Sequence, residues 1–225
     1  MKRALVVAID GPSGSGKSSV SKGVAEHFSL AYLDTGAMYR AMTWFMLEQG
    51  VDLADPAAIG ALADRPVISS GTDPRAPTIS CNGVDVGEAI RSTEVTAAVS
   101  AVSAVPEVRH RLVDLQRAEI GASSGIVAEG RDIGTVVAPD ADVKIFLIAD
   151  PAVRAQRRAA ENQQTRRSDE SVAATEADLQ RRDKLDSQRK ASPLQAADDA
   201  HTLDATHLDL AQTIAAACEI VSEND

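Results

Sequence analysis

The residues with the clearest chemical potential lie near the start of the chain, in a loop rich in glycine and serine. The run Gly11-Pro12-Ser13-Gly14-Ser15-Gly16-Lys17-Ser18 fits the pattern G-x-x-x-x-G-K-[ST] at every fixed position. Glycines allow positive φ angles, so backbone N–H groups can converge on phosphate oxygens. Lys17 can reach the β- and γ-phosphates of a nucleotide, and Ser18 can place its hydroxyl on Mg²⁺. The loop therefore predicts a phosphate-binding site.

The residues on either side of this loop predict the elements that hold it. Residues 4–9 form an apolar run rich in β-branched side chains, which is typical of a strand covered on both faces of a parallel sheet. Residues 18–28 place Val20, Val24 and Phe28 four apart on one helical face. The positive end of that helix dipole would point at the same anion. The alternative, a flexible turn, requires neither lysine nor serine at these positions.

Apolar runs and helical periodicity alternate along the rest of the chain. This order predicts an α/β fold of the P-loop NTPase type, with a parallel β-sheet sandwiched by helices. Pro151 would open a helix at its first turn, where its missing N–H is harmless. Further strands are predicted at 31–33, 125–129, 143–149 and 201–204, and further helices at 37–48, 107–120, 170–189 and 208–221.

The segment between 51 and 106 differs, because prolines interrupt it at positions 56, 66, 74, 77 and 106. Within it, residues 78–86 alternate around Asn82-Gly83, which predicts a β-hairpin with a type I′ turn. Such a hairpin cannot belong to the parallel sheet. A small antiparallel lobe inserted into the main domain is therefore expected.

These changes along the chain define an expected domain organisation. A core domain would comprise residues 1–35 and 107–225, and the inserted lobe residues 36–106. A lid segment is expected within the core at about residues 154–170. The polar and basic stretch 162–168 is a candidate mobile loop within that lid.

Composition limits the partners of the chain. It has 225 residues, 23 of them basic and 33 acidic, and a formal net charge of −10, which would repel phosphate backbones and anionic membranes. It contains no apolar run of about 18 residues, so no membrane span is expected. Cys81 and Cys218 lie far apart, which argues against a disulfide framework or a zinc site. We expect a cytoplasmic monomer without nucleic-acid or membrane partners.

An anionic substrate would need a locally positive pocket, and the arginines of the chain could supply one. Residues 34–40 and 130–135 are polar clusters that each follow a predicted strand, where open α/β sheets bind ligands. Arginine offers planar, bidentate geometry for phosphate. The candidate anion contacts are Arg40, Arg109, Arg131, Arg182 and Arg189.

The motifs together resemble those of bacterial cytidylate kinases. They are the loop 11–18, DTGAMYR at 34–40, EGRDIGT at 129–135, and RDKLDSQR at 182–189 with SPL at 192–194. They occur in the family's order over almost the whole chain, and the inserted lobe resembles the family's enlarged nucleoside-monophosphate-binding region. The resemblance implies transfer of the γ-phosphoryl group of ATP to CMP or dCMP, with Mg²⁺ as cofactor and ADP and CDP or dCDP as products.

The resemblance also implies roles for individual residues. The ATP-binding residues would be Gly11, Pro12, Ser13, Gly14, Ser15, Gly16, Lys17, Ser18 and Ser19, with Ser18 also on Mg²⁺. The catalytic residues would be Lys17 and the lid arginines Arg157 and Arg158. The CMP-binding residues would be Thr35, Arg40, Ser100, Arg109, Arg131, Asp132, Arg182, Asp186 and Arg189.

The chemistry of cytosine agrees with the three residues that would read the base. Cytosine offers an exocyclic amine beside ring acceptors, so Asp132 or Ser100 can accept from the amine while Arg109 donates to the acceptor edge. Uracil carries a carbonyl in place of the amine. An ionised Asp132 would face that carbonyl as a second acceptor and discriminate against uracil.

Other interpretations remain open from the sequence alone. The chain could be a P-loop kinase for another nucleotide or metabolite, or an inactive nucleotide-binding module. A GTPase switch needs an N-K-x-D element, and none of Asn82, Asn162 and Asn224 precedes a lysine. Single residues also have structural alternatives: Asp34 and Asp132 could cap helices, and the lid arginines could be solvated.

Overall fold

A parallel sheet with helices on both faces forms the centre of the protein, which confirms the predicted α/β fold. The computed structural model describes residues 4–165 and 171–224. A 3₁₀ turn spans Ala89–Arg91 and a π-helical turn spans Ile133–Val137. In chain order the other elements are β1 (Val6–Asp10), α1 (Lys17–Phe28), β2 (Ala31–Asp34), α2 (Thr35–Glu48), α3 (Pro56–Gly60), β3 (Ile68–Ser70), β4 (Ile79–Cys81), β5 (Val84–Asp85), α4 (Thr93–Ser103), α5 (Pro106–Ala122), β6 (Ile126–Gly130), β7 (Val143–Ile148), α6 (Pro151–Gln164), α7 (Val172–Gln188), β8 (His201–Asp204) and α8 (Leu210–Asn224).

The strand order places a crevice at the carboxyl end of β1. Among the described residues, the large sheet has five parallel strands in the order β2-β6-β1-β7-β8. Val7 on β1 lies opposite Val127 of β6 and Val143 of β7. The chain leaves β1 toward β2 and β6 on one side, then continues to β7 and β8 on the other. Ligands of open α/β sheets bind where the order reverses in this way.

Alternate residues of β1 face two hydrophobic cores. Val7 and Ile9 pack in a core with side chains of α1 and α8. Ala8 packs in the opposite core, which includes Met38 and Met42 of α2. Both methionines are fully buried. Aliphatic and methionine side chains thus fill both cores and hold the end of β1 in place.

A second, antiparallel sheet contains the predicted hairpin. Strands β3, β4 and β5 pair antiparallel, and Cys81 lies opposite Val84 across a two-residue loop. Asn82 and Gly83 have φ angles of 53° and 78°, which confirms the type I′ turn.

Both cysteines are free and buried. Cys81 lies in β4 of the antiparallel sheet, and Cys218 lies in α8, which packs against the large sheet. Burial raises the pKa of each thiol. Neither thiol is placed to act as a nucleophile or metal ligand.

Several predicted boundaries need correction. Helix α2 begins at Thr35 rather than residue 37, because the Asp34 side chain accepts a hydrogen bond from the Ala37 N–H and caps the helix there. Helix α6 continues to Gln164, so the first part of the predicted mobile loop 162–168 is helical. Its remainder, from residue 166, lies outside the described residues. Within the described part of the chain, no helix is both long and apolar enough to cross a membrane.

Replacing Gly11 with alanine should strongly destabilise the fold. A Cβ at this position would lie 2.1 Å from the Leu147 carbonyl oxygen of β7, and the backbone has a φ angle of 151°. We expect Gly11→Ala to lower the free energy of unfolding by about 2–4 kcal/mol in urea titrations. Gly121→Ala is the control, because nothing lies within 4 Å of its Cβ position in α5, and it should gain about 0.5 kcal/mol. Equal effects of the two variants would contradict this account.

Candidate active site

A cavity of about 770 Å³ opens at the carboxyl ends of the central strands, a size that suits small-molecule ligands. Its lining includes every predicted site residue except Gly11 and Pro12 at the start of the glycine loop. Residues from distant parts of the sequence therefore meet on one surface. Their roles stay predictions, and the contacts below give the chemistry that each can perform.

The glycine loop turns tightly into α1. Gly14 and Gly16 have φ angles of 75° and 92°, and the Gly16 residue caps the helix. Lys17 begins α1, and its buried ammonium donates to the Pro12 carbonyl oxygen at 2.7 Å. Burial, and then the charge of Arg131, hold the pKa of Lys17 well below its ordinary value. A phosphate anion beside this ammonium would relieve that cost.

Two buried carboxyl groups that the sequence analysis did not assign lie at the ends of central strands. Asp10 ends β1, and its two oxygens accept from the N–H groups of Ile133 and Gly134 at 2.9 and 2.8 Å. Burial raises the pKa of Asp10 to about 6. Glu129 lies in β6 and accepts a hydrogen bond from the Tyr32 hydroxyl. Burial, and then the charge of Asp34, raise the pKa of Glu129 to about 7.

Thr35 links the end of β6 to the start of α2. Its hydroxyl donates to the Glu129 carbonyl oxygen at 2.6 Å. Both residues are buried and line the cavity. The Asp34 side chain caps α2, which confirms the capping role that the sequence left open for it. The start of α2 is thereby fixed against the sheet.

An ion pair lies at the part of the cavity that carries the predicted base-reading residues. Arg109 donates to one oxygen of Asp132, and the other oxygen lies 3.6 Å from the Arg189 guanidinium. The Arg109 guanidinium also donates to the Ser103 carbonyl oxygen at 3.2 Å and lies 5.3 Å from the centre of the Tyr39 ring. The Asp132 side chain makes no capping hydrogen bond to the turn that follows it. Ser100 on α4 lines the same cavity.

Guanidinium groups crowd another part of the cavity. Burial, and then the charges of Arg182 and Arg158, lower the pKa of Arg40 to about 9. Burial, and then the charges of Arg131 and Arg158, lower the pKa of Arg182 to about 10. The four guanidinium groups repel one another. This cluster of Arg40, Arg131, Arg158 and Arg182, called here the guanidinium cluster, is a ready site for an anion.

Contacts hold most members of the guanidinium cluster in position. Arg40 on α2 donates to the Ile90 carbonyl oxygen at 3.0 Å and the Thr96 hydroxyl at 2.9 Å. Arg131 donates to an Asp186 carboxylate oxygen at 3.0 Å. A cluster held in this way is preorganised for its ligand, because little side-chain freedom is left to lose on binding.

The two predicted lid arginines have different surroundings. Arg157 donates to the carbonyl oxygens of Ala205 and Leu208 at 2.7 and 2.9 Å, so it holds the loop between β8 and α8. Arg158 is half-buried and lies 3.1 Å from a carboxylate oxygen of Glu161. Both side chains line the cavity. Of the predicted lid, residues 166–170 lie outside the described part of the chain.

The chain offers a few oxygen ligands of the kind that Mg²⁺ prefers. Ser18 is exposed at the first turn of α1, and the carboxylates of Asp34 and Glu129 line the same cavity. No group of three His, Cys, Asp or Glu side chains among the described residues could hold a metal ion. The residues present fit a cation whose remaining ligands are phosphate oxygens and water.

Comparisons with known proteins agree with this site. The family model described as Cytidylate kinase matches residues 7–223. A cytidylate kinase of Streptomyces avermitilis is 55% identical over 221 residues, which cover 98% of this chain and 94% of that protein. A cytidylate kinase of Rhodococcus jostii is 54% identical and covers 97% of this chain and 95% of that protein.

A solved structure extends the comparison to the fold alone. An uncharacterized protein from Eubacterium ventriosum aligns with a TM-score of 0.53 at 12% identity, over 97% of this chain and 98% of that chain. The similarity concerns the arrangement of strands and helices. It carries no information on the substrate of this chain.

Exchange of Asp10 for asparagine should change how folding stability depends on pH. The folded chain binds the Asp10 proton more tightly than the unfolded chain, whose pKa stays near 3.8, so this carboxyl makes the parent less stable as pH rises from about 4 to about 6. The Asp10→Asn variant keeps only one side-chain oxygen to accept from the two backbone N–H groups at any pH. Its stability does not change with the titration of a carboxyl group at this position. The stability difference between parent and variant should narrow by about 1–3 kcal/mol between pH 4 and pH 7 in urea titrations. A constant difference would contradict the raised pKa.

Proposed function

The chain belongs to the cytidylate kinase family, and from that premise we propose how its cavity moves the γ-phosphoryl group of ATP to CMP. The products are ADP and CDP, and the family relation extends the acceptor to dCMP with dCDP as product. This places the chain among ATP-dependent phosphotransferases and excludes the GTPase switch that the sequence left open. The assignment of residues to the two nucleotides is the proposal.

The glycine loop binds the donor. The backbone N–H groups around Gly14 and Gly16, together with the first turn of α1, face the β- and γ-phosphates of ATP. Lys17 moves from the Pro12 carbonyl oxygen to a phosphate oxygen and follows the transferring group. Because the buried ammonium is poorly compensated, the triphosphate gains more from it than from an exposed lysine.

Three members of the guanidinium cluster bind the acceptor phosphate and the transferring phosphoryl group. Arg40 and Arg131 hold the phosphate of CMP, while Arg158 and Lys17 face the γ-phosphoryl group. The acceptor oxygen is already an anion near pH 7, so no strong general base is required. Catalysis then depends on alignment and on neutralising charge. Closing of the lid over both nucleotides excludes water and suppresses hydrolysis of ATP.

Arg109 and Asp132 read the base. Their mutual ion pair fixes both side chains before the substrate arrives. A carboxylate has more acceptor positions than Arg109 and Arg189 fill, so Asp132 can also accept from the amine of cytosine. Ser100 contacts the same edge of the base, and Arg182, Asp186 and Arg189 surround the sugar.

Mg²⁺ would be held by the Ser18 hydroxyl together with oxygens of ATP. When bound, the ion supplies positive charge that neutralises the phosphate oxygens. The carboxylates of Asp34 and Glu129, which line the same cavity, would accept hydrogen bonds from its water ligands. A monomeric state and a cytoplasmic location stay predictions from composition, as does the division into core, lobe and lid.

One observation carries the residue assignments: the guanidinium cluster lines the same cavity as the glycine loop. A site with one nucleotide would not need a second set of cations. Two phosphate-bearing ligands that meet end to end do need one, because their facing phosphates repel each other. The arrangement therefore favours an acceptor that is itself phosphorylated.

Replacing Asp132 with asparagine should weaken the preference for cytosine over uracil. The variant turns an amide donor toward the base, where it opposes the amine of CMP and can donate to the carbonyl of UMP. We expect kcat/KM for CMP to fall about a hundredfold, and the CMP-to-UMP ratio to fall with it, in a coupled ADP assay. The KM for ATP should change less than about threefold. Equal losses for both acceptors and for ATP would make Asp132 a structural residue.

Lys17→Ala should remove turnover without weakening the fold. We expect kcat to fall about 10²–10³-fold, because one cation that follows the phosphoryl group is lost. Thermal unfolding should occur at the parent's temperature or above it, since burial makes the charged lysine costly in the free protein. A large fall in melting temperature, or retained turnover, would contradict the assigned role.

A further inference from the structure

Asp183 belongs to the RDKLDSQR motif, yet the transfer mechanism does not use it. It lies on α7, and its side chain is 16% exposed. One carboxylate oxygen accepts a hydrogen bond from the Ser13 N–H at 2.8 Å. The other accepts from the Arg154 guanidinium at 2.5 Å. A helix distant in sequence thus reaches into the glycine loop.

Arg154 completes a closed ring of hydrogen bonds around Ser13. The same Arg154 nitrogen that pairs with Asp183 donates to the Ser13 carbonyl oxygen at 2.7 Å. Both backbone polar groups of Ser13 are thereby satisfied by one carboxylate and one guanidinium. Gly14, the next residue, has a φ angle of 75°, where the loop turns. The ring of hydrogen bonds therefore fixes the backbone of Ser13, immediately before that turn.

The hydroxyl of Ser13 points the other way, toward the acceptor side of the cavity. It accepts from Arg131 at 2.8 Å, and Arg131 also donates to Asp186 at 3.0 Å. Asp183 and Asp186 are three residues apart on α7, so one helix face contacts both the loop and Arg131. A continuous chain of hydrogen bonds therefore joins the donor loop to the acceptor arginine through Ser13.

We propose that Asp183 is a positioning residue that couples the two nucleotide sites: it holds Ser13 so that the loop backbone faces the donor phosphates while the Ser13 hydroxyl holds Arg131 over the acceptor phosphate. The inference rests on the proposed function, because it takes the loop as the ATP site and Arg131 as part of the CMP site. Each nucleotide favours the same placement of Ser13. Binding of either one therefore tightens binding of the other by the same factor.

Calorimetric titration of CMP with and without adenylyl imidodiphosphate, an ATP analogue that does not transfer its phosphoryl group, measures this coupling. In the parent protein with Mg²⁺, saturating analogue should lower the Kd of CMP about fivefold or more, and saturating CMP should lower the Kd of the analogue by the same factor. We call the ratio of the Kd values without and with the other nucleotide the coupling factor. A coupling factor of one in the parent overturns the inference. Absence of CMP binding together with absence of CMP-dependent ADP formation overturns the proposed function as well.

Two variants separately test the residues that form the hydrogen-bond chain between the donor loop and Arg131. Asp183→Asn can keep an oxygen on the Ser13 N–H but turns an amide group toward Arg154, so the factor should fall toward one and kcat about tenfold. Ser13→Ala keeps both backbone bonds and removes only the contact with Arg131, so its factor should also fall toward one. If Asp183→Asn does not fold, as judged by thermal unfolding, Ser13→Ala decides the question.

Asp178→Asn is the matched control. Asp178 lies on the same helix, but it pairs with the exposed Arg181 at 2.6 Å and does not line the cavity. Its coupling factor and kcat should equal those of the parent. If Asp183→Asn and Ser13→Ala both fold and keep the parent's factor, Asp183 is a structural residue and the inference is overturned.

Discussion

Mutual repulsion between neighbouring guanidinium groups is the constraint on which the rest of this structure depends. The charge of Arg182 lowers the pKa of Arg40, and the charges of Arg131 and Arg158 lower the pKa of Arg182. The fold bears this cost in the free protein, and an arriving phosphate relieves it. The aspartates nearby hold individual arginines in place without filling the space between them. The fold therefore holds a local site with affinity for anions within a protein of negative net charge.

The large sheet holds this anion site in place because the carboxyl ends of its strands have fixed positions. Gly11 approaches the Leu147 carbonyl oxygen more closely than any side chain would allow, and Asp10 ties β1 to the turn after β6. Cores on both faces hold these strands. The loop and the acceptor residues therefore keep their relative positions, which phosphoryl transfer in line requires.

Sequence patterns with local causes predicted much of this architecture. The buried strands, the glycine loop and the Asn82-Gly83 turn each depend on residues that are neighbours in the chain, so their types indicate their conformations. Most site residues came from the family resemblance, and their meeting on one cavity required the fold. The roles of Asp10, Glu129 and Asp183 were missed, because a lone acidic residue carries no signal until a distant partner is known. Arg154 was missed as a loop contact for the same reason.

Both native thiols are buried, one in the antiparallel hairpin and one in the last helix. With their pKa values raised by burial, they would react slowly with maleimides. A cysteine engineered on the surface would then be labelled first, without prior removal of the natural ones. One such label on the antiparallel sheet and one on the large sheet would report the distance between them by fluorescence resonance energy transfer. The natural sequence therefore suits such measurements of motion within the protein.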